Sequence, residues 1–270
     1  MVGARFYATT PGMTMNSGPT SLWQREWQAC HCAVTFLTRI PLPASPWQDA
    51  ALTRSSAYFP LVGLLVGSLG ALIYAGATQY WHSDIAALLA MAAMLLLTGG
   101  FHEDGLADTA DGLGGGWSVD DKLRIMKDSR LGTYGALALV MALLLKFALL
   151  SALPPASVPA ALILGQVLGR WAALPLIATT AYVRSEGTGK PLVGGVTGPR
   201  LLAATGFSLL VLVVLEGTAP GAIALAVVAL IALWRWHCQR QIGGITGDTL
   251  GAGNQLAELA VYLVLAATPG

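Results

Sequence analysis

The sequence predicts an all-α, polytopic membrane bundle. The chain is 55% hydrophobic and only 11% charged over 270 residues, with a mean hydropathy of +0.64. A soluble chain of this size carries about 25% charge. Apolar runs recur along it, separated by short connections. The cations sort onto alternate connections. The net charge of +1 and the absence of a basic run give no electrostatic case for nucleic acid. Cys30, Cys32 and Cys238 are odd in number, lack metal-site spacing and imply no disulfide framework.

Residues 1–20 lack an uninterrupted apolar stretch and read as a disordered tail without a signal peptide; residues 21–270 read as one membrane domain. Trp23–Arg39 mixes apolar residues with Arg25, Glu26 and Arg39 and is too polar to span. It is expected to lie in the interface as an amphipathic helix, ended by Pro41, Pro43 and Pro46; a lid facing substrate is the alternative. Seven spans follow. They are Ala57–Tyr80, with Gly63, Gly67 and Gly70 at helix-packing spacing, Ile85–Gly100, Tyr134–Leu153, Val158–Ala181, Leu201–Leu215, Ala222–Trp236 and Asn254–Ala267. Several are shorter than the roughly 20 residues of a perpendicular span, so their ends are expected to extend into the connections.

Loop charge orients these spans. Arg5, Arg25, Arg39 and Arg54 precede the first, and Lys122, Arg124, Lys127 and Arg130 follow the second. Arg184, Lys190 and Arg200 follow the fourth, while Arg235 and Arg240 stand at and beyond the end of the sixth. The connections after spans one, three and five contain no Lys or Arg. The positive-inside rule then puts the N-terminus and the even-numbered loops in the cytoplasm and the C-terminus outside.

The chemistry gathers on that cytoplasmic side. Gly99–Gly116, GGFHEDGLADTADGLGGG, carries Glu103, Asp104, Asp108 and Asp111. In a helix, Asp104, Asp108 and Asp111 stand at i, i+4 and i+7 on one face. Stacked like charges need a cation to offset them, and hard oxygen ligands suit Mg²⁺ together with substrate phosphates. A solvated acidic loop is the alternative. MKDSRLGTYG (Met126–Gly135) sets Lys127 and Arg130 three apart beside Asp128 and Ser129, as phosphate contacts or as a positive-inside anchor. GGITGDTLGAG (Gly243–Gly253) offers backbone amides at Gly243, Gly244 and Thr246 to an anion, with Asp248 as a metal ligand or sugar contact; a flexible connector is the alternative. Gly187–Pro199 reads as a loop, with Lys190 a minor candidate. Glu258, Lys146 and Arg170 fall inside spans, where ionisable side chains are functional candidates or pair between helices; pairing is the expectation for Lys146. His102 reads as an orienting group, while His31, His82 and His237 carry no role. No Ser-His-Asp arrangement, Walker-type loop or dinucleotide fingerprint is present, which leaves catalysis by metal and positioning.

FHEDGLADTADGLGGGW, then MKDSRLGTYG, then GGITGDTLGA with Glu258 downstream and FLTRIPLP (Phe36–Pro43) upstream, resembles the cobalamin synthase family over roughly Cys32 to Glu258. The resemblance implies a Mg²⁺-dependent enzyme of the bacterial inner membrane acting as an adenosylcobinamide-GDP ribazoletransferase. It joins α-ribazole, or its 5′-phosphate, to adenosylcobinamide-GDP and releases GMP. On this reading Glu103, Asp104, Asp108, Asp111 and Asp248 bind metal. Lys127 and Arg130 stabilise the leaving charge, and His102, Asp128, Ser129, Gly243, Gly244, Thr246, Asp248 and Glu258 contact substrate. Association with other cobalamin-pathway enzymes and self-association stay open. Two other classes compete: a CDP-alcohol phosphotransferase or prenyltransferase with differently spaced aspartates, and an ion-coupled transporter using Glu258, Lys146 and Arg170. The transporter predicts internal repeats, and none is found.

Overall fold

The computed structural model describes residues 21–43, 49–187, 189–216 and 220–268. The tail at residues 1–20 and Pro46 lie outside the described residues. The fold is an all-α multi-pass bundle built from helices α1 (Leu22–Leu37), α2 (Asp49–Ser55), α3 (Phe59–Ala77), α4 (Ser83–Thr98), α5 (Phe101–Gly115), α6 (Val119–Met126), α7 (Thr133–Ala152), α8 (Val158–Thr179), α9 (Gly198–Leu215), α10 (Pro220–Ile242) and α11 (Gly247–Ala267). Among the described residues, six helices are long and apolar enough to cross a membrane, and seven spans result when the bent pair α4–α5 is one of them.

Helix α1 begins on a capping box, in which the Ser21 side chain accepts from the Gln24 N–H and the Gln24 side chain from the Ser21 N–H. Trp23 and Trp27 are exposed on one side, whereas Ala29, Cys32, Ala33 and Leu37 are buried on the other. That two-faced helix matches the interfacial reading. The first span starts earlier than its hydropathy indicated, at Ala51, because α2 and a tight turn at Ser56–Tyr58 feed directly into α3.

The core belongs to α8 and α11. The most apolar window of α8 is 72% buried, against 22% for those of α7, α9 and α10, so those three face lipid. Helix α3 lies against α8 at backbone contact: a Cβ on Gly67 would stand 2.6 Å from the Ile163 Cα, and one on Gly63 2.8 Å from the Val167 Cα. Gly70 receives Met94 of α4. The expected small-residue seam is therefore real, and it lets two apolar helices pack closely where no hydrophobic drive separates protein from lipid.

The second span is broken. Gly99 and Gly100 both sit at φ 70°, in the left-handed region that costs a side-chain-bearing residue about 1 kcal/mol or more, and α5 leaves α4 at 86°. The Arg39 N–H donates to the Leu97 carbonyl at 2.7 Å, tying the end of α1 to this break. The acidic stretch is thus a helix in its own right, packed between α7 and α11.

Helix α11 also differs from expectation. It starts at Gly247, seven residues before the predicted Asn254, because Thr246 and Thr249 form a reciprocal cap: Thr249 N–H to Thr246 Oγ1 at 3.2 Å, and Thr246 N–H to Thr249 Oγ1 at 2.8 Å. The glycines of Gly247–Gly253 do not form an open cradle. They are helical, and their lack of side chains serves close packing, with a Cβ on Gly251 standing 3.2 Å from the Gly105 Cα of α5.

Candidate active site

Helical register puts Asp104, Asp108 and Asp111 along one side of α5, but the structure gives them different surroundings. Asp111 is buried, and both of its oxygens accept backbone amides at the start of α7: Gly132 N–H at 2.7 Å and Gly135 N–H at 2.8 Å. It acts as a cap supplied from another helix, completing α7's unsatisfied first turn with a full negative charge. Asp104 is exposed and Asp108 half-buried. Neither carboxylate makes a hydrogen bond or ion pair among the described residues.

Asp248 meets them from the first turn of α11. The Gly105–Gly251 contact brings the two helix backbones together, and a Cβ on Gly105 would lie 2.9 Å from the Asp248 carbonyl oxygen. Asp108 accordingly sits in the electrostatic field of Asp104, Asp248 and Asp111, with Arg184 as the opposing cation. Arg184 donates to Asp248 Oδ2 at 2.7 Å. A one-residue parallel bridge places it there: the Val183 N–H donates to the Ile245 carbonyl at 3.0 Å, and the Ile245 N–H to the Ala181 carbonyl at 2.8 Å. Gly244 is buried against this strand-like segment, where a Cβ would meet Ala181 and Val183, while Gly243 turns the chain at φ 76°. Gly244 and Thr246 therefore serve the turn and the helix cap, and only Gly243 keeps an exposed backbone.

The sequence-predicted groups divide. Asp104 and Asp248 both lie within electrostatic range of Asp108. Glu103 points elsewhere: its Oε1 is 3.9 Å from Lys146, deep in α7. Lys146 itself bonds Glu258 at 2.7 Å and Gln255 at 2.6 Å, so the interhelical pairing expected for it is present. His102 is buried and lies on the opposite side of α5 to Asp104, lining interior cavities with Arg170. Lys127 and Arg130 do not share a helix face, because α6 ends at Met126 and the chain to Gly132 is non-helical. Arg130 instead forks onto Asp128, with Nε 3.0 Å from each carboxylate oxygen, and holds that exposed carboxyl below the usual carboxylate range. Ser129 is exposed beside them. Arg184, read in the sequence only as a loop cation, is the residue that sequence reasoning missed. Nothing in its spacing reveals the bridge from Tyr182 to Ile245.

Among the described residues, no group of three or more His, Cys, Asp or Glu side chains is placed to hold a metal ion by protein ligands. Asp104 and Asp248 nonetheless both act electrostatically on Asp108, with Arg184 in opposition, and carboxylate oxygens are hard donors. Mg²⁺ takes one or two carboxylates plus phosphate oxygens and water rather than an all-protein cage.

Sequence comparison places this arrangement in a family. The family described as Cobalamin-5-phosphate synthase matches residues 29–266. A Shewanella woodyi protein named adenosylcobinamide-GDP ribazoletransferase is 51% identical over 241 residues, 86% of this chain and 93% of that one. Proteins of the same name from Shewanella oneidensis and Shewanella pealeana are 48% and 50% identical, covering 92% and 90% of this chain and 97% and 96% of theirs. No solved structure matches. With the family match running across nearly the whole described bundle, from α1 to α11, the chain belongs to the cobalamin-5-phosphate synthase family.

Proposed function

We propose that this protein joins α-ribazole, or α-ribazole 5′-phosphate, to adenosylcobinamide-GDP, releasing GMP and forming adenosylcobalamin or its 5′-phosphate. The observation that carries the reading is the electrostatic coupling of Asp108 with Asp104, both without partners among the described residues, and with the Arg184–Asp248 pair at the crossing of α5 and α11. The family names say which phosphoanhydride and which alcohol are concerned.

In the proposed reaction a free ribose hydroxyl of ribazole, other than the 5′-position that carries the phosphate in α-ribazole 5′-phosphate, forms a bond through its oxygen to the phosphorus attached to cobinamide. The bond from that phosphorus to the oxygen bridging to GMP breaks, and GMP leaves with the electron pair. Asp104, Asp108 and Asp248 would hold Mg²⁺, which when bound supplies charge neutralisation on the diphosphate. Arg184 aims Asp248, and either Asp104 or Asp108, which lack partners among the described residues, accepts the proton of the attacking hydroxyl. Lys127 and Arg130, exposed on the connection between α6 and α7, meet the departing GMP charge. The cation distribution supports a site open to the cytoplasm of a bacterium, in its inner membrane.

The test is GMP release by the purified protein in lipid, given both substrates, with Mg²⁺ or with EDTA. Mg²⁺-dependent release matched by corrinoid product is expected. Protein that binds both substrates in folded form yet releases no GMP would overturn the reading.

A further inference from the structure

The bundle holds a second polar centre that the proposed transfer does not use. A cavity of about 260 Å³ opens between α4 and α7 and ends on α5, α8 and α11. Its mouth is apolar and faces outward: Leu88 and Leu95 of α4 and Leu144 of α7 are 50%, 36% and 56% exposed. Its inner end is ionic. There Glu258 is fully engaged, accepting from Lys146 at 2.7 Å and from the Tyr262 hydroxyl at 2.9 Å. Two groups remain open. Arg170 is 2% exposed, and its Nη1 reaches Gln166, but Nε and Nη2 have no partner among the described residues. Glu103 Oε2 is buried without a partner among them as well.

Those open valences define a ligand. Lys146 lies thirteen residues beyond the start of α7, roughly 20 Å along the helix, a depth at which bulk water does not compensate a bare guanidinium. The four charged side chains at this end, Lys146, Arg170, Glu103 and Glu258, sum to zero, so charge balance asks for nothing ionic. What is missing is one group that accepts from Arg170 and donates to Glu103. Hydroxyls and primary amides do both. The volume equals about nine waters' share of liquid, room for such a head and its first methylenes, with an apolar exit to the bilayer.

We propose that this cavity binds the head of an uncharged, single-chain amphiphile taken laterally from the membrane, with a hydroxyl- or amide-bearing head between Arg170 and Glu103 and its chain leaving between α4 and α7. The site is separate from the phosphoryl-transfer residues, and its test uses no turnover.

The experiment is photolabelling of the full chain in nanodiscs with a diazirine-bearing monoacylglycerol. Saturable labelling of peptides from α4 and α7, displaced by unlabelled monoacylglycerol, is expected. Ala92→Trp adds bulk at the exposed mouth without touching the ionic end and should lower labelling at least about tenfold, with helicity retained. Arg170→Lys, which removes the forked donors, should weaken it about tenfold. Three outcomes would each overturn the proposal: labelling that does not saturate, labelling unchanged in folded Ala92→Trp, and displacement by α-ribazole or oleate but not by monoacylglycerol. These results bear on the cavity alone, since a failed transferase assay would leave them standing.

Discussion

Two aspartates on one helix face are held in opposite ways. Asp108 has a field of like charges around it and no hydrogen-bond partner among the described residues, so its oxygens are open to a cation that would offset that field. Asp111 has two backbone donors and is buried, so its charge is already committed to α7. The two substitutions should therefore separate. Asp108→Asn is expected to cut Mg²⁺-dependent GMP release by on the order of a hundredfold or more while leaving thermal stability in detergent unchanged. Asp111→Ala leaves two amides of α7's first turn without a partner and should cost about 1–3 kcal/mol, visible as a lower melting temperature before any activity is measured. Equal melting temperatures for the two variants would refute this division. The register of Asp104, Asp108 and Asp111 was legible from spacing alone. The capping role of Asp111 was not, because its donors at Gly132 and Gly135 are more than twenty residues away and a backbone N–H leaves no mark in the sequence. Arg184 was hidden for a similar reason: main-chain bonds from Ala181 and Val183 to Ile245 carry it to Asp248.

At the scale of elements, glycine decides where the acids meet. The sequence showed small residues at packing intervals in the first span, and the α3–α8 seam follows that pattern. The same residue type misled around Gly243–Gly253, where glycine density reads as a loop. Only the Thr246–Thr249 cap and the Gly105–Gly251 crossing show that it is a helix held at backbone distance from another. Gly105→Leu tests this crossing. The added side chain would be driven into the first turns of α11, where a Cβ alone already falls within 3.3 Å of Asp248 backbone atoms and of the Gly251 Cα. The helices must then separate, moving Asp104 and Asp108 away from Asp248. GMP release should fall at least about tenfold at saturating Mg²⁺, and raising Mg²⁺ should not restore it, since misplacement of ligands rather than loss of charge is the defect. Gly76→Leu, at a helical glycine of α3 with open space around it, serves as the control and should be neutral.

Over the whole molecule, cation placement and span parity point to one orientation. Counting the bent α4–α5 pair as one span gives seven crossings, and the cation-free connections after α3, α7 and α9 then share one side. The acids at the α5–α11 crossing fall on the other side, with the connection from α6 to α7 and with Arg184. At the Gly99–Gly100 break the acidic helix turns sideways, at 86° to α4, and reaches the start of α7. Two single-cysteine variants check the orientation, made in a background with Cys30, Cys32 and Cys238 replaced by Ala. Ser157→Cys, exposed between α7 and α8, should react with a membrane-impermeant maleimide added to intact spheroplasts. Ser129→Cys, exposed beside Arg130, should react only in inverted vesicles. Labelling of both from the same face would mean that α7 does not cross. The reverse pattern would put Asp104, Asp108 and Asp248 on the outer face, away from a cytoplasmic supply of nucleotide substrate, and would end the transferase reading along with the topology.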